Sequence, residues 1–425
     1  MPRLALAYLR DRLAATLLNI LLLALAVASL VVLLLLSERI SDRFTRDAAG
    51  IDLVVGAKGS PLQLILSSVY HLDTPTGNVP LATFDLLRAD PGVARVVPLA
   101  LGDNFRGFRI VGTDPAFLGL HGASVVRGRM FEGPMEAVIG AEVARVTGAA
   151  LGQKFIGAHG LADAEEMGHD HAPFVVTGIL GPTGTVTDRL ILTQVQSVWQ
   201  VHGIALPTTA RAAPAKDGDH GHDHEADHDH APEASPLAGR AAPDAEITAL
   251  LVTYRNPAAA IRLPSAINRQ TALQAASPAA ETARFLSLFD SAILGARLFA
   301  GLIAAVAALS IFTVLLAAAR AREGDLALLR VMGANRAELS ATILLEGLIT
   351  AGLGALLGLL LGHFLVGLAA ASFPALGAIG LSGAVILPQE ALIVLGALLL
   401  GAVAALLPAA RVLRTDLAAV LARGP

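Results

Sequence analysis

The 425-residue chain contains no cysteine. That excludes disulfide staples, thiolate zinc sites and cysteine nucleophiles, but it does not fix the compartment, because many extracytoplasmic proteins lack the residue. Lysine is scarce as well. Lys58, Lys154 and Lys216 are preceded by Ala57, Gln153 and Ala215, whereas a Walker A loop needs Gly-Lys followed by Ser or Thr. No ATP-binding P-loop is therefore encoded. Aromatic residues make up 4%, too few for a base-stacking platform, and a net charge of −4 without a basic cluster argues against nucleic acid as a partner. What is abundant is Leu, Ala, Val and Ile: 54% of residues are hydrophobic against 16% charged, and the mean hydropathy is +0.64. This balance excludes a purely cytosolic enzyme.

Four apolar runs, at 13–36, 298–319, 347–371 and 391–410, are long enough to cross a bilayer, whose core of about 30 Å needs roughly 20 helical residues. A cleaved signal peptide is the rival reading of the first run. Its apolar stretch is about twice a signal core, however, and Ser37-Glu38-Arg39 is a poor cleavage site, so the run is read as an anchor. Arginine sets the orientation. The first run is undecided, with Arg3, Arg10 and Arg12 before it and Arg39, Arg43 and Arg46 after it. The second loop carries Arg320, Arg322, Arg330 and Arg336, the tail carries Arg411, Arg414 and Arg423, and 372–389 carries no charge. Both termini and the arginine loop are expected in the cytoplasm. Residues 37–297 then lie outside, enough chain for a core of its own.

Within that segment, 51–55 reads as a strand. Ser60 as N-cap and Pro61 at the first helical position then open a helix whose Leu62, Ile65, Leu66 and Val69 recur at helical spacing. The stripe is either a buried core face or a membrane-proximal groove for an acyl chain or peptide. Short apolar runs at 93–99, 105–111, 137–139, 174–180, 190–193 and 246–254 alternate with Gly, Pro and Asp turns. They predict a β-rich domain, with helices around 84–89 and 257–268. From Pro278 the pattern is helical into the second span, as a stalk would be.

Composition breaks between 205 and 244, where Ala, Pro, Asp and His replace any apolar periodicity; this stretch is expected to be a disordered loop. It carries His220, His222, His224, His228 and His230 interleaved with Asp219, Asp223, Glu225, Asp227 and Asp229, and a smaller cluster, His169 and His171, follows Glu165-Glu166. Imidazoles beside carboxylates are borderline ligands that suit zinc, nickel or copper. The alternative is a solvated linker with no metal role. Without an ordered three-ligand constellation, catalytic zinc is not expected.

Between the second and third spans, Leu326, Leu329 and Met332 fall on one face of a short helix that Gly333 stops. Such a helix either lies in the membrane interface or docks into a groove on a partner. Gly354, Gly358 and Gly362 recur every four residues in the third span. They reflect either close approach of a neighbouring helix or plain composition. Glu346 marks either the start of that helix or a functional ionisable group at the membrane boundary. His363 reads as a packing residue rather than a proton relay.

The run Arg322-Glu323, Leu328-Leu329-Arg330, Met332-Gly333-Ala334-Asn335-Arg336, Glu346 and the glycine-rich third span resembles the signature of FtsX-like permeases, as does the ending Pro408-Ala-Ala-Arg411 with Arg414-Thr-Asp416. Arg127-Gly-Arg-Met-Phe131, Glu136-Ala-Val-Ile-Gly140 and Phe174-Val-Val-Thr-Gly178 resemble the MacB-type periplasmic core. The His-rich stretch has no counterpart in the family pattern. The resemblance implies an α-helical membrane protein of four transmembrane helices, with a mixed α+β extracytoplasmic domain inserted between helices 1 and 2. Its parts would be 1–36, 37–297 and 298–425, with a coupling helix at about 321–336. It further implies a non-catalytic subunit of the bacterial inner membrane, partnered by a cytoplasmic ABC ATPase that binds the ATP and by a second permease subunit, most simply a copy of this chain. A periplasmic or lipoprotein partner and membrane lipid complete the set. Arg322, Glu323, Leu328, Leu329, Arg330, Gly333, Arg336 and Glu346 would couple to the ATPase. Two functions fit: export or extraction of a lipophilic or peptide substrate, with or without a link to zinc, and metal-responsive or force-transmitting regulation of a periplasmic partner.

Overall fold

The structure is a computed structural model that describes residues 2–159, 173–202, 245–322, 324, 329–373, 376 and 381–414. It divides into two compact units, one of residues 44–286 and one of residues 1–43 and 287–425. In chain order the helices are α1 (Pro2–Asp11), α2 (Leu13–Asp47), α3 (Pro61–Ser68), α4 (Ala82–Arg88), α5 (Ala116–Leu120), α6 (Ala141–Thr147), α7 (Val195–Val201), α8 (Pro257–Gln270), α9 (Pro278–Ala321), α10 (Arg336–Ser372) and α11 (Glu390–Arg414).

The 44–286 unit is built on a mixed sheet and a separate two-stranded one. Its strands are β1 (Leu53–Ala57), β2 (Val79–Pro80), β3 (Val93–Phe105), β4 (Phe108–Thr113), β5 (Val125–Gly128), β6 (Glu136–Ile139), β7 (Lys154–Phe155), β8 (Ala158–His159), β9 (Phe174–Leu180), β10 (Leu190–Gln194), β11 (Glu246–Ile247), β12 (Ala249–Tyr254) and β13 (Leu273–Ala276). β2 and β11 form the two-stranded sheet, and the principal order of the mixed one is β13-β1-β12-β3-β4-β10-β6-β9-β5. Long β3 serves two halves of this sheet: Val93–Leu99 pairs with β12, and Ala100–Phe105 pairs with β4 with a register shift between Leu101 and Asn104.

Alternation along these strands feeds two cores. Val54, Val97, Leu99, Ala249 and Leu251 point to one, with Leu64 and Ile65 of α3. Leu53, Val55, Val96, Leu250 and Val252 point to the other, with Phe84 of α4, Trp199 of α7 and Leu263 of α8. Both faces are covered, which is why the strands read as continuous apolar runs. Of the apolar stripe on α3, Ile65 and Val69 are buried in the first core and Leu66 packs against it, while Leu62 is half-buried, so the stripe is mainly a core face. Local signals explain the helix starts. Ser60 Oγ accepts from the Gln63 amide at 3.4 Å, and Asn256 Oδ1 accepts from the Ala259 amide at 3.0 Å, each followed by proline at the first helical position.

Among the described residues, four helices are long and apolar enough to cross a membrane: Leu13–Asp47, Pro278–Ala321, Arg336–Ser372 and Glu390–Arg411. Leu17, Leu21, Leu302, Leu309, Leu360 and Leu399 are exposed along them, as lipid-facing side chains would be. Small residues set the packing. A Cβ at Gly358 would sit 2.6 Å from the Ala24 carbonyl oxygen and from Val27 Cβ, one at Gly354 3.0 Å from Leu23 Cβ, and one at Gly362 2.9 Å from Val31 Cβ. One edge of α10 is thus pressed against α2. The other meets α11, where a Cβ at Gly347 would lie 2.7 Å from that of Ala405. Ser310 of α9 donates to Asn19 of α2 at 2.6 Å, a polar link between membrane-length helices.

Candidate coupling site

The turn between α9 and α10 is built by its end signals. The amide of Ala334 donates to the Leu329 carbonyl at 2.9 Å and that of Gly333 to Arg330 at 3.1 Å, with Gly333 at φ +104°. This is the Schellman pattern, and its left-handed position is where glycine is preferred. Two residues on, Asn335 caps α10: its side chain accepts from the Ala337 amide at 3.3 Å, and Glu338 accepts from the Asn335 amide at 2.9 Å. The chain reverses within a few residues, fixed by hydrogen bonds on both sides.

Leu329 and Ala334 pack inward on a cluster that includes Leu315, Leu339, Ile343 and Ala405. Val331 is 64% and Met332 68% exposed, and Gly333 and Arg336 are exposed beside them. The expected single apolar face of Leu329 and Met332 is therefore split, because the Schellman turn sends the two residues to opposite sides. Val331 stands outside the residues that the sequence motif singles out; its exposed position follows from the turn rather than from any pattern. Arg330 is half-buried. Glu323, Leu326 and Leu328 lie outside the described residues.

Arg322 and Glu346 take a different position from the surface role expected of them. Arg322 is 9% and Glu346 4% exposed. The Arg322 guanidinium lies 3.7 Å from the centroid of the Tyr8 ring and donates to the Tyr8 carbonyl at 3.2 Å. Its two terminal nitrogens stand 3.7 Å from the Glu346 carboxylate and 3.6 Å from that of Asp11. Tyr8, Ala318, Thr342 and Ile343 line a crevice around this pair. A buried, stacked arginine tied to α1 and α10 cannot itself reach a second protein. It joins three helices directly behind the exposed turn.

The other expected sites separate. Gly354, Gly358 and Gly362 lie together on the α2 contact. His169, His171, His220, His222, His224, His228 and His230 lie outside the described residues. Among the described residues no group of three or more His, Cys, Asp or Glu side chains could hold a metal ion. Of the domain motifs, Arg129 pairs with Glu136 through both terminal nitrogens. Glu136 also accepts from the amides of Glu132 and Gly133, and with Arg129 as the leading cause its carboxyl is held down to about 2. This motif closes a surface turn.

The MacB-like periplasmic core domain family matches residues 16–220, and the FtsX-like permease C-terminal family matches residues 297–417. Among solved structures, the periplasmic region of MacB from Actinobacillus actinomycetemcomitans aligns at 11% identity over 56% of this chain and 94% of that one, with a TM-score of 0.32. The extracellular domain of the noncanonic ABC-type transporter YknZ from Gram-positive bacteria aligns at 14% identity over 53% and 98%, with a TM-score of 0.29. A domain of a putative permease protein from Porphyromonas gingivalis aligns at 14% over 53% and 86%, with a TM-score of 0.25. A comparison with curated proteins returns no match. In this family the ATPase resides in a separate cytoplasmic subunit. With one family match on each part, the chain belongs to the FtsX-like, MacB-like permeases, the membrane subunits of ABC transporters.

Proposed function

We propose that this chain couples ATP hydrolysis by a separate ABC ATPase to movement of its extracytoplasmic domain, and so exports or extracts a lipophilic or peptide substrate. The observation that carries the reading is the exposed Val331-Met332-Gly333 turn, fixed by the Schellman and capping-box bonds and backed by the Arg322–Glu346 pair. An exposed apolar pair on a rigid reversal suits a groove on a partner protein. Movement there has a direct route into α9 and α10. With four membrane-length helices among the described residues of each chain, a wide channel is poorly served, so the substrate would come from the membrane or from the far side. Two copies of this chain and two ATPases would form the working complex. By the arginine distribution, both termini and the coupling turn face the cytoplasm and residues 44–286 the periplasm.

A second reading is a force-transmitting or metal-responsive regulator of a periplasmic partner. The five histidines of 220–230 favour zinc as its signal. Zinc would alter the ATPase rate of the complex only when those histidines are present.

The test is Val331→Asp with Met332→Glu in the full chain, co-purified with its ATPase. Association should fall at least tenfold and stimulated ATP hydrolysis with it, while a control charge at exposed Leu86 changes neither. Undiminished association of the double variant would overturn the coupling role of this turn.

A further inference from the structure

His363 of α10, half-buried, and Glu390 at the start of α11, buried, form a pair, their side chains 15% and 3% exposed. The imidazole Nδ1 lies 2.9 Å from the Gly383 carbonyl oxygen, and Nε2 lies 3.1 Å from Oε2 of Glu390. The other carboxylate oxygen accepts from the Leu387 amide at 2.9 Å. These contacts fix a proton count. A carbonyl oxygen only accepts, so Nδ1 carries a hydrogen. An ionised carboxylate also only accepts, so either Nε2 carries a second hydrogen or the carboxyl group does. Imidazolium with carboxylate, and imidazole with carboxylic acid, both satisfy the geometry. Each holds one proton more than a neutral histidine beside a carboxylate.

Without that proton, two lone pairs would face each other across the contact. An uncompensated negative charge would also lie in an apolar groove lined by Leu359, Leu387, Val394 and Leu398, where burying an unpaired charge is costly. The loop is brought this close by Gly383, where a Cβ would meet the His363 carbonyl oxygen and lie 2.9 Å from the Gly367 amide nitrogen. On the neighbouring helices the charged groups towards this end are Glu38, Arg39, Asp42 and Arg43 of α2 and Asp290 and Arg297 of α9. Glu38 receives the Gln389 amide at 3.4 Å. Among the described residues, no other charged side chain bonds to His363 or Glu390.

We propose that His363 and Glu390 are a proton-binding site whose single proton ties residues 381–389 to α10 and α11, and that its release to water frees this loop. The side from which the proton comes and goes rests on the orientation given under the proposed function; the site itself does not.

The chain's lack of cysteine makes the test direct. A nitroxide attached at Ala384→Cys, an exposed loop position, is followed in the full chain in lipid vesicles from pH 5.5 to 9.5. Its rotational correlation time should shorten at least twofold along a one-proton curve. In the Glu390→Gln background the amide can donate to Nε2 and still accept from Leu387, so the label should stay slow throughout. In the His363→Phe background it should be fast throughout. A flat profile in the parent overturns the proposal, as does a titration unchanged by Glu390→Gln; if that variant does not insert, His363→Phe serves in its place. Reduction of the nitroxide by ascorbate added outside the vesicles reports the side separately, so a wrong orientation leaves the proton result standing.

Discussion

Tyr70 Oη lies 2.5 Å from Thr282 Oγ1 and donates to the Phe44 carbonyl at 3.4 Å. One side chain, just beyond α3, thereby ties the last turns of α2 to the first turns of α9. Its ring meets Phe44 edge-on at 4.5 Å between centroids, and Phe44 meets Phe285 at 5.8 Å. Burial pushes the Tyr70 hydroxyl up to about 12, so it remains a donor at every working pH. Tyr70→Phe should cost about 1–3 kcal/mol, since two bonds are lost at about 0.5–1.5 kcal/mol each, and Tyr70→Ala about 3–5 kcal/mol through the cavity it leaves. Thermal midpoints of the detergent-solubilised chain give both numbers. If this contact carries motion, ATPase stimulation should suffer in Tyr70→Ala well before the protein unfolds.

The glycines of α10 should differ sharply in tolerance. At Gly358 an added methyl meets the Ala24 backbone oxygen and Val27 Cβ at 2.6 Å, whereas at Gly352 its nearest neighbour is Leu398 Cδ2 at 3.7 Å. Gly358→Ala is therefore expected to cost about 1–3 kcal/mol by overpacking, and Gly352→Ala close to nothing. Melting of the two variants in one detergent decides it; equal losses would mean that α2 does not lie against this edge of α10.

The membrane-length helices were legible because an uncharged run of such length has few other uses. So was the start of α9 at Pro278, where the helical pattern begins. The far end of α2 was not: it continues to Asp47, well past its apolar run, because Phe44 carries it into the packing of the 44–286 unit. Strand β13, Leu-Gln-Ala-Ala, lacks the β-branched residues that mark strands and is held by pairing with β1. Helix α7, rich in valine, reads locally as more strand but packs Val195, Val198 and Trp199 into one core. The Arg322–Tyr8 stack joins residues at opposite ends of the sequence, a placement that no local pattern records. An arginine among other loop arginines reads as solvent-facing until the fold brings α1 against it.

Acid should weaken the 44–286 unit before its surface carboxylates titrate. Burial holds His71 down to about 3 and His121 to about 4, against an ordinary value near 6.5. Both are neutral when folded, so their contribution is fully present above pH 6.5 and is lost as the unfolded chain takes up protons below it. Asp114 opposes this: burial raises it to about 6, so below pH 6 the folded state binds a proton that the unfolded state does not. Between pH 6 and 4.5 the unfolded state thus gains about one more proton, and stability should fall by about 1.4 kcal/mol per pH unit. His71→Asn suits the left-handed backbone at φ +53°. It should nearly flatten the slope, since His121 and Asp114 then cancel. Melting curves across this window would show it, and a parent protein as stable at pH 4.5 as at pH 6 would contradict it.

The buried Arg322–Glu346 pair behind the 329–335 turn makes its own energetic demand. Replacing Arg322 alone leaves Glu346, 4% exposed, without its nearest cation, and breaking a buried pair from one side costs about 3–5 kcal/mol. Removing both charges costs less, because no uncompensated group remains. Arg322→Ala should therefore lower the melting temperature more than Arg322→Ala with Glu346→Gln, although the double variant has lost more polar contacts. Arg322→Lys keeps the charge but not the planar stack on Tyr8, and should fall between the parent and the alanine variant. Coupling separates from stability in the same set. If the pair transmits motion from the turn, the restabilised double variant will bind the ATPase normally yet fail to raise its turnover; full stimulation in that variant would reduce Arg322 and Glu346 to a packing role.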